Sequence, residues 1–137
     1  MSEGSLTLGV HHVGLTVPDI GAVREFFVAQ LGFRQVGEKP DYPAVFVSDG
    51  HTMLTLWQAA EPSRAVPFDR RNHIGLHHLA LRVGDAAALA DAHVRLQGAP
   101  GVEIEFAPEP LGSGGARHLM CRIPGGIRLE LIALPPA

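Results

Sequence analysis

Apolar side chains recur at every second position through Val13, Leu15 and Val17, and residues 8–17 read as a strand that Pro18-Asp19 ends. The period then changes. Ile20, Val23, Phe27 and Leu31 are spaced by three and four, which predicts a helix over residues 20–31 with Gly32 as its stop. Three strands are predicted next, at 33–39, 44–48 and 52–58, with Asp49-Gly50 as the hairpin turn between the last two. Residues 59–76 hold prolines and charges without any period and read as a linker. The order of elements then restarts: a strand at 77–83, a helix at 85–97, and strands at 102–107, 117–123 and 127–133.

The chain therefore divides into a unit of residues 8–58 and a second of residues 77–133. An offset of 66 lays His11-His12-Val13-Gly14-Leu15-Thr16-Val17 on His77-His78-Leu79-Ala80-Leu81-Arg82-Val83. Near the end of each unit the offset is 75, laying Met53-Leu54-Thr55-Leu56 on Arg128-Leu129-Glu130-Leu131. The extra length fits a longer loop around PEPLGSGGA, whose glycines at 112, 114 and 115 read as flexible chain. Two copies of a unit that cannot bury both faces of its own sheet predict units that complete one another.

Strand side chains alternate between faces, so parity sorts the candidates for chemistry. Val13, Leu15 and Val17 go with the helix, as do Leu79, Leu81 and Val83 and also Ile127, Leu129 and Leu131. His12, Gly14 and Thr16, then His78, Ala80 and Arg82, then Arg128 and Glu130 take the face without a helix. That face must be solvated, packed on another sheet, or curled into a cup. Two imidazoles and one carboxylate on it, His12, His78 and Glu130, have the composition of a triad that holds a divalent metal and leaves positions open. His11 and His77, of opposite parity, belong at the sheet edge or as hydrogen-bond donors behind the ligands. His51, His73 and His93 fall in a turn, the linker and a helix, where solvated histidine is expected.

Composition narrows the partners. A formal charge of −3, with 11 Lys+Arg against 14 Asp+Glu and no block of either sign, gives no footprint for nucleic acid or an acidic membrane. A hydrophobic content of 46% suffices for a globular core, and no apolar run approaches the ~20 residues of a membrane span. With no basic leader at the start, a cytoplasmic location is expected. Cys121 stands alone, which leaves only His and carboxylate ligands for a metal.

HHVGLTVPDIGAVREFFVAQLGF, HHLALRV and PGGIRLELI resemble the vicinal oxygen chelate superfamily of glyoxalases, bleomycin-resistance proteins and extradiol dioxygenases, over about residues 8–132. The resemblance implies an α+β fold in which two βαβββ units curl their mixed sheets into a cup. It places His12, His78 and Glu130 on the metal-ligand positions of strands one, five and eight, around one divalent ion (Fe(II), Mn, Zn or Ni). The fourth position holds Thr55, where a glyoxalase I is expected to have a carboxylate. Met120 stands where extradiol enzymes carry a tyrosine, and Gly14 where fosfomycin enzymes carry a threonine, so no single reaction transfers. The shared chemistry is that of a small substrate with two neighbouring oxygens, such as a hydroxy-ketone or a catechol. Glu130 and His118 are the candidate catalytic groups, His118 as general base or as a hydrogen-bonding residue behind the ligands. Thr55, Trp57 and Met120 are candidate substrate contacts, with Met53 beside them, and Arg82, Arg122 and Arg128 are candidates for an anionic substrate. Members of this size commonly form homodimers, in which His12 would come from one subunit and His78 with Glu130 from the other. The alternative function is a metal-free protein that sequesters a small molecule.

Overall fold

The computed structural model describes residues 4–137. The first unit runs β1 (Val13–Val17), α1 (Ile20–Glu25), β2 (Arg34–Lys39), β3 (Ala44–Ser48) and β4 (Met53–Gln58). The second runs β5 (Leu79–Arg82), α2 (Ala86–Gln97), β6 (Glu103–Pro110), β7 (Arg117–Arg122) and β8 (Arg128–Ala133). Each unit forms a four-stranded mixed sheet, in the orders β1-β4-β3-β2 and β5-β8-β7-β6. In both, the first strand pairs parallel with the last and the other pairings are antiparallel. The fold is thus α+β with a repeated βαβββ unit. Among the described residues no helix is long and apolar enough to cross a membrane.

Both helices start the same way. Asp19 and Asp85, 66 positions apart, are the N-caps, and their Oδ1 atoms accept from the backbone N–H of Ala22 at 3.1 Å and of Ala88 at 2.8 Å. Beyond Glu25 the helical path continues as one wider π-type turn, Phe26–Gln30, which brings consecutive Phe26 and Phe27 into the core at 5.2 Å between centroids. Gly32 then takes a φ of +75°, the left-handed conformation that ends a helix and that glycine adopts freely.

Three elements differ from expectation, for one physical reason each. β1 begins at Val13 rather than residue 8, because Val13 already pairs with Leu54 near the start of β4 and no strand among the described residues pairs with residues 8–12. β5 likewise begins at Leu79, paired with Leu129, one residue into β8. β6 reaches Pro110 because two irregularities in its register with β7 absorb extra residues and let the ladder continue.

One buried cluster joins the units. Leu15, Val17, Val23, Phe27, Leu54 and Leu56 of the first pack in the same core as Leu89, Leu96, Leu119, Leu129 and Leu131 of the second. These are the helix-facing residues of the strands and the inward residues of the helices, each fully buried aliphatic or aromatic side chain contributing about 1.5–3 kcal/mol. Both units therefore spend their helix sides on a common core. The opposite sheet faces are left for chemistry.

Candidate metal centre

Glu130 lies on β8 between its two neighbours, in register with Ala80 of β5 and Met120 of β7. It is 8% exposed, and both of its oxygens are engaged. Oε1 lies 3.0 Å from Nε2 of His78, the residue just before β5, and Oε2 lies 2.7 Å from Nδ1 of His118 on β7. Ala80, the register partner of Glu130 on β5, is small enough to leave the imidazoles room. Two ligands about 2.1 Å from one ion at a right angle are themselves about 3 Å apart, which is the His78–Glu130 separation, so the nitrogen and oxygen fit adjacent places around a divalent metal. The His118 contact to the other oxygen is the arrangement by which a non-ligand imidazole orients a ligand carboxylate. The ring of His118 is backed by Phe106 at 4.9 Å between centroids, and its Nε2 is 4.0 Å from Glu109 Oε1. Met120 is buried beside the carboxylate.

Arg128, two residues before Glu130, does not reach toward solvent. Its Nε and Nη2 donate to the two oxygens of Glu105 at 2.9 and 3.1 Å, and its Nη1 reaches the His77 carbonyl at 3.3 Å and His77 Nδ1 at 3.2 Å. Arg122 is shared between Glu103 at 3.0 Å and Glu105 at 3.7 Å, and Arg70 from the linker approaches Glu105 at 3.8 Å. The hydrogen bonds from Arg128 hold the Glu105 carboxyl below the ordinary carboxylate range, against the burial that would raise it. Desolvation and then the Arg128 charge hold the exposed His77 imidazole below its ordinary value. Arg82 is exposed and lines a different groove, with Asp49, Asp91 and Arg95, where the two units meet.

The matching face of the first unit is built of rings and small residues. Gly14 pairs with Thr55 and Thr16 with Trp57. A Cβ on Gly14 would lie 3.1 Å from Thr55 Oγ1 and 3.4 Å from Trp57 Nε1, so any larger residue would press on the hydroxyl that holds the indole. Trp57 Nε1–H donates to Thr55 Oγ1 at 2.8 Å, Tyr42 stands edge-on to the indole at 4.6 Å and Phe46 flanks it at 6.2 Å. His12 is exposed and in contact with His11, Nδ1 to Nδ1 at 2.9 Å. It does not join His78 and Glu130 within one chain, and among the described residues no three His, Cys, Asp or Glu side chains are grouped so as to hold a metal ion.

Residues 9–131 match the sequence profile of the glyoxalase/bleomycin resistance protein/dioxygenase superfamily. The chain belongs to that superfamily. It is 33% identical to a 2-epi-5-epi-valiolone epimerase from Actinomyces sp over 150 aligned positions, covering 93% of this chain and 80% of the relative. In fold it is similar to a glyoxylase/bleomycin resistance protein/dioxygenase domain from Frankia sp. EAN1pec (TM-score 0.78, 24% identity, 97% and 96% of the two chains). It is similar also to a fosfomycin resistance protein from Listeria monocytogenes complexed with Mn(II) and 1S,2S-dihydroxypropylphosphonic acid (TM-score 0.73, 16% identity, 94% and 92%). As in the superfamily's name, the fold is shared by several activities, and the site residues have to argue for one.

Sequence reasoning passed over Glu105, Phe106 and Tyr42. Glu105 and Phe106 lie where β6 loses its regular register between Ile104 and Phe106, so counting by twos along that strand could not place them. The signal available for Glu105 was electrostatic, a carboxylate on an edge strand whose neighbour β7 carries Arg117 and Arg122, with Arg128 one strand further in. Cys121, set apart in the sequence as the only cysteine, is buried in the core, and its thiol is pushed up to about 12 by burial.

Proposed function

We propose that the protein is a divalent-metal-dependent epimerase of its superfamily, acting at the carbon next to the carbonyl of a small hydroxy-ketone, with each site shared between two copies of the chain. The observation that carries this is the His78–Glu130–His118 constellation on the open face of the second sheet. The 33%-identical epimerase supports the reaction class, since its named substrate is a ketone. When bound, a divalent ion supplies a Lewis acid toward two neighbouring substrate oxygens.

The chain's own residues supply the rest. His78 and Glu130 would bind the ion, and His12 of a second copy would provide the third ligand, because within one chain His12 contacts His11 and not the His78–Glu130 pair. His118 has Nδ1–H committed to Glu130 Oε2, so in that tautomer Nε2 is the basic nitrogen that takes the proton from the substrate carbon. Phe106 keeps one side of that imidazole dry. The Trp57 platform, held by Thr55 and Tyr42, offers a flat apolar surface for the C–H face of a ring substrate. Arg122 and Arg128, already paired with glutamates, shape the wall rather than offer free charge. Leu6, Leu8, Val10, Val66 and Ile74 are largely exposed in the single chain and provide apolar surface for the second copy.

The experiment measures metal content by elemental analysis together with exchange of substrate hydrogen in deuterium oxide, using 2-epi-5-epi-valiolone. The wild type should hold near-stoichiometric metal and incorporate deuterium next to the carbonyl, and Glu130→Gln should lose both. Ligand binding that persists without metal in both proteins, with no exchange, would replace this reading by that of a sequestering protein.

A further inference from the structure

We propose that the concavity between the linker and the hairpin end of the second sheet binds a phosphate group through Arg70 and Arg71, and that it recognises a phosphorylated small molecule. The site goes beyond the epimerase reading and needs no metal ion at Glu130.

The concavity has a volume of about 210 Å3 and is lined by four arginines, Arg70 and Arg71 of the linker, Arg122 of β7 and Arg128 of β8. The carboxylates around it are already engaged. Glu105 accepts both arms of Arg128 at 2.9 and 3.1 Å, Glu103 pairs with Arg122 at 3.0 Å, and Asp69 Oδ1 accepts the backbone N–H of Arg71 at 3.0 Å. The linker pair is what remains. Arg70 Nη1 stands 3.8 Å from Glu105 Oε1, beyond hydrogen-bonding distance, and among the described residues the Arg71 side chain has no ion-pair partner. Two forks of N–H donors are thus left without a protein acceptor among the described residues.

The linker holds both forks in place by its own turn. His73 N–H donates to the Asp69 carbonyl at 2.9 Å, Asp69 N–H donates to His73 Nδ1 at 3.1 Å, and the bond from Arg71 N–H to the Asp69 side chain lies inside the same turn. Four guanidiniums then meet three carboxylates, an excess of positive charge in a chain whose formal charge is −3. Gathering like charges costs stability that a bound anion offsets. At Glu105 the hydrogen bonds from Arg128, and after them the charges of Arg128, Arg70 and Arg122, keep the carboxyl below its ordinary range despite burial. A ligand carboxylate would satisfy one fork. A phosphate group, with three oxygens and nearly two charges, answers both. Arg122 and Arg128 are register partners two residues from Met120 and Glu130 on the same sheet face, roughly 7 Å along the strands. The rest of a small molecule held there by its phosphate lies along the open face toward Glu130.

The test is calorimetric titration of the full chain with inorganic phosphate, glycerol phosphate and acetate, at low ionic strength matched with potassium chloride and with a chelator present, so that the outcome is independent of any metal. Wild type should bind one glycerol phosphate per chain, more tightly than inorganic phosphate, and both at least about tenfold more tightly than acetate. Arg70→Ala and Arg71→Ala should each weaken phosphate binding about tenfold, and the double variant should show no saturation. Both residues are exposed, so thermal midpoints in chloride should stay close to wild type and separate these losses from loss of fold. Arg82→Ala, in the groove where the two units meet, should titrate like wild type. Equal phosphate binding by wild type and the double variant overturns the proposal, as does acetate binding as tight as phosphate, or no saturable binding by wild type. Inorganic phosphate bound more tightly than glycerol phosphate overturns the assignment to a phosphorylated small molecule.

Discussion

At the scale of single residues, Glu105 carries more of the site's organisation than its exposed neighbours suggest. It accepts both arms of Arg128 and has Arg122 and Arg70 within 3.8 Å, so its charge is stabilised by three cations while its side chain is only 16% exposed. Its folded-state pKa lies below the unfolded one. A carboxyl of that kind contributes stability that is fully present above the unfolded value, near 4.5, and is lost as pH falls through the lowered folded value. Glu105→Gln should therefore cost about 1–3 kcal/mol at pH 7, partial exposure keeping it at the lower end, and progressively less as the pH is taken down through that window. Urea unfolding of both proteins between pH 7 and pH 3 measures the difference, and a cost that does not change with pH would show that shape, not charge, is what Glu105 supplies. The proposed ligands were legible as candidates in the sequence because His12, His78 and Glu130 lie in or beside short regular strands where parity holds. Glu105 was not, because its strand carries register shifts on both sides of Phe106.

At the scale of elements, the duplicated order of strands and helices was legible from spacing alone, since it depends on neighbours in sequence. The ends of β1 and β5 were not, because a strand stops where its partner stops and the partner lies some forty to fifty residues away. The hairpin between β7 and β8 shows the same dependence on a distant neighbour. Gly126 N–H donates to the Ile123 carbonyl at 2.8 Å and closes the turn, and Gly125 sits at a φ of +95°. A Cβ on Gly125 would lie 2.8 Å from Cδ of Pro18, at the end of β1. Gly125→Ala thus meets two obstacles, the left-handed backbone and a proline ring of the other unit that has little freedom to move. It should destabilise the protein by about 1–3 kcal/mol. Gly126→Ala, with the same φ and open space around its Cβ, should cost about 1 kcal/mol, the backbone part alone. Comparing the two by thermal unfolding isolates the contact between units. Equal costs would mean that Pro18 and the hairpin yield to each other freely.

At the scale of the whole molecule, the common core decides what one chain can do alone. It gathers the helix-facing sides of both sheets, and among the described residues His12, just before β1, is not grouped with the His78–Glu130 pair of the second unit. On the proposed reading, a complete three-ligand site needs the first unit of one copy against the second unit of another, and a twofold dimer would make two such sites at once. The arrangement has a consequence that a single-chain site lacks. His12→Ala and His78→Ala should each be inactive and without stoichiometric metal as pure proteins. Mixed after unfolding and refolded together, random pairing makes about half of the dimers mixed, and each mixed dimer has one site with both mutations and one with neither, so about a quarter of wild-type sites return. Metal analysis and the deuterium-exchange assay should recover in parallel to that level, and light scattering should show the mass of two chains throughout. No recovery from the mixture, with both parents folded and dimeric, would place His12 outside the metal site and leave His118 as the second imidazole around Glu130.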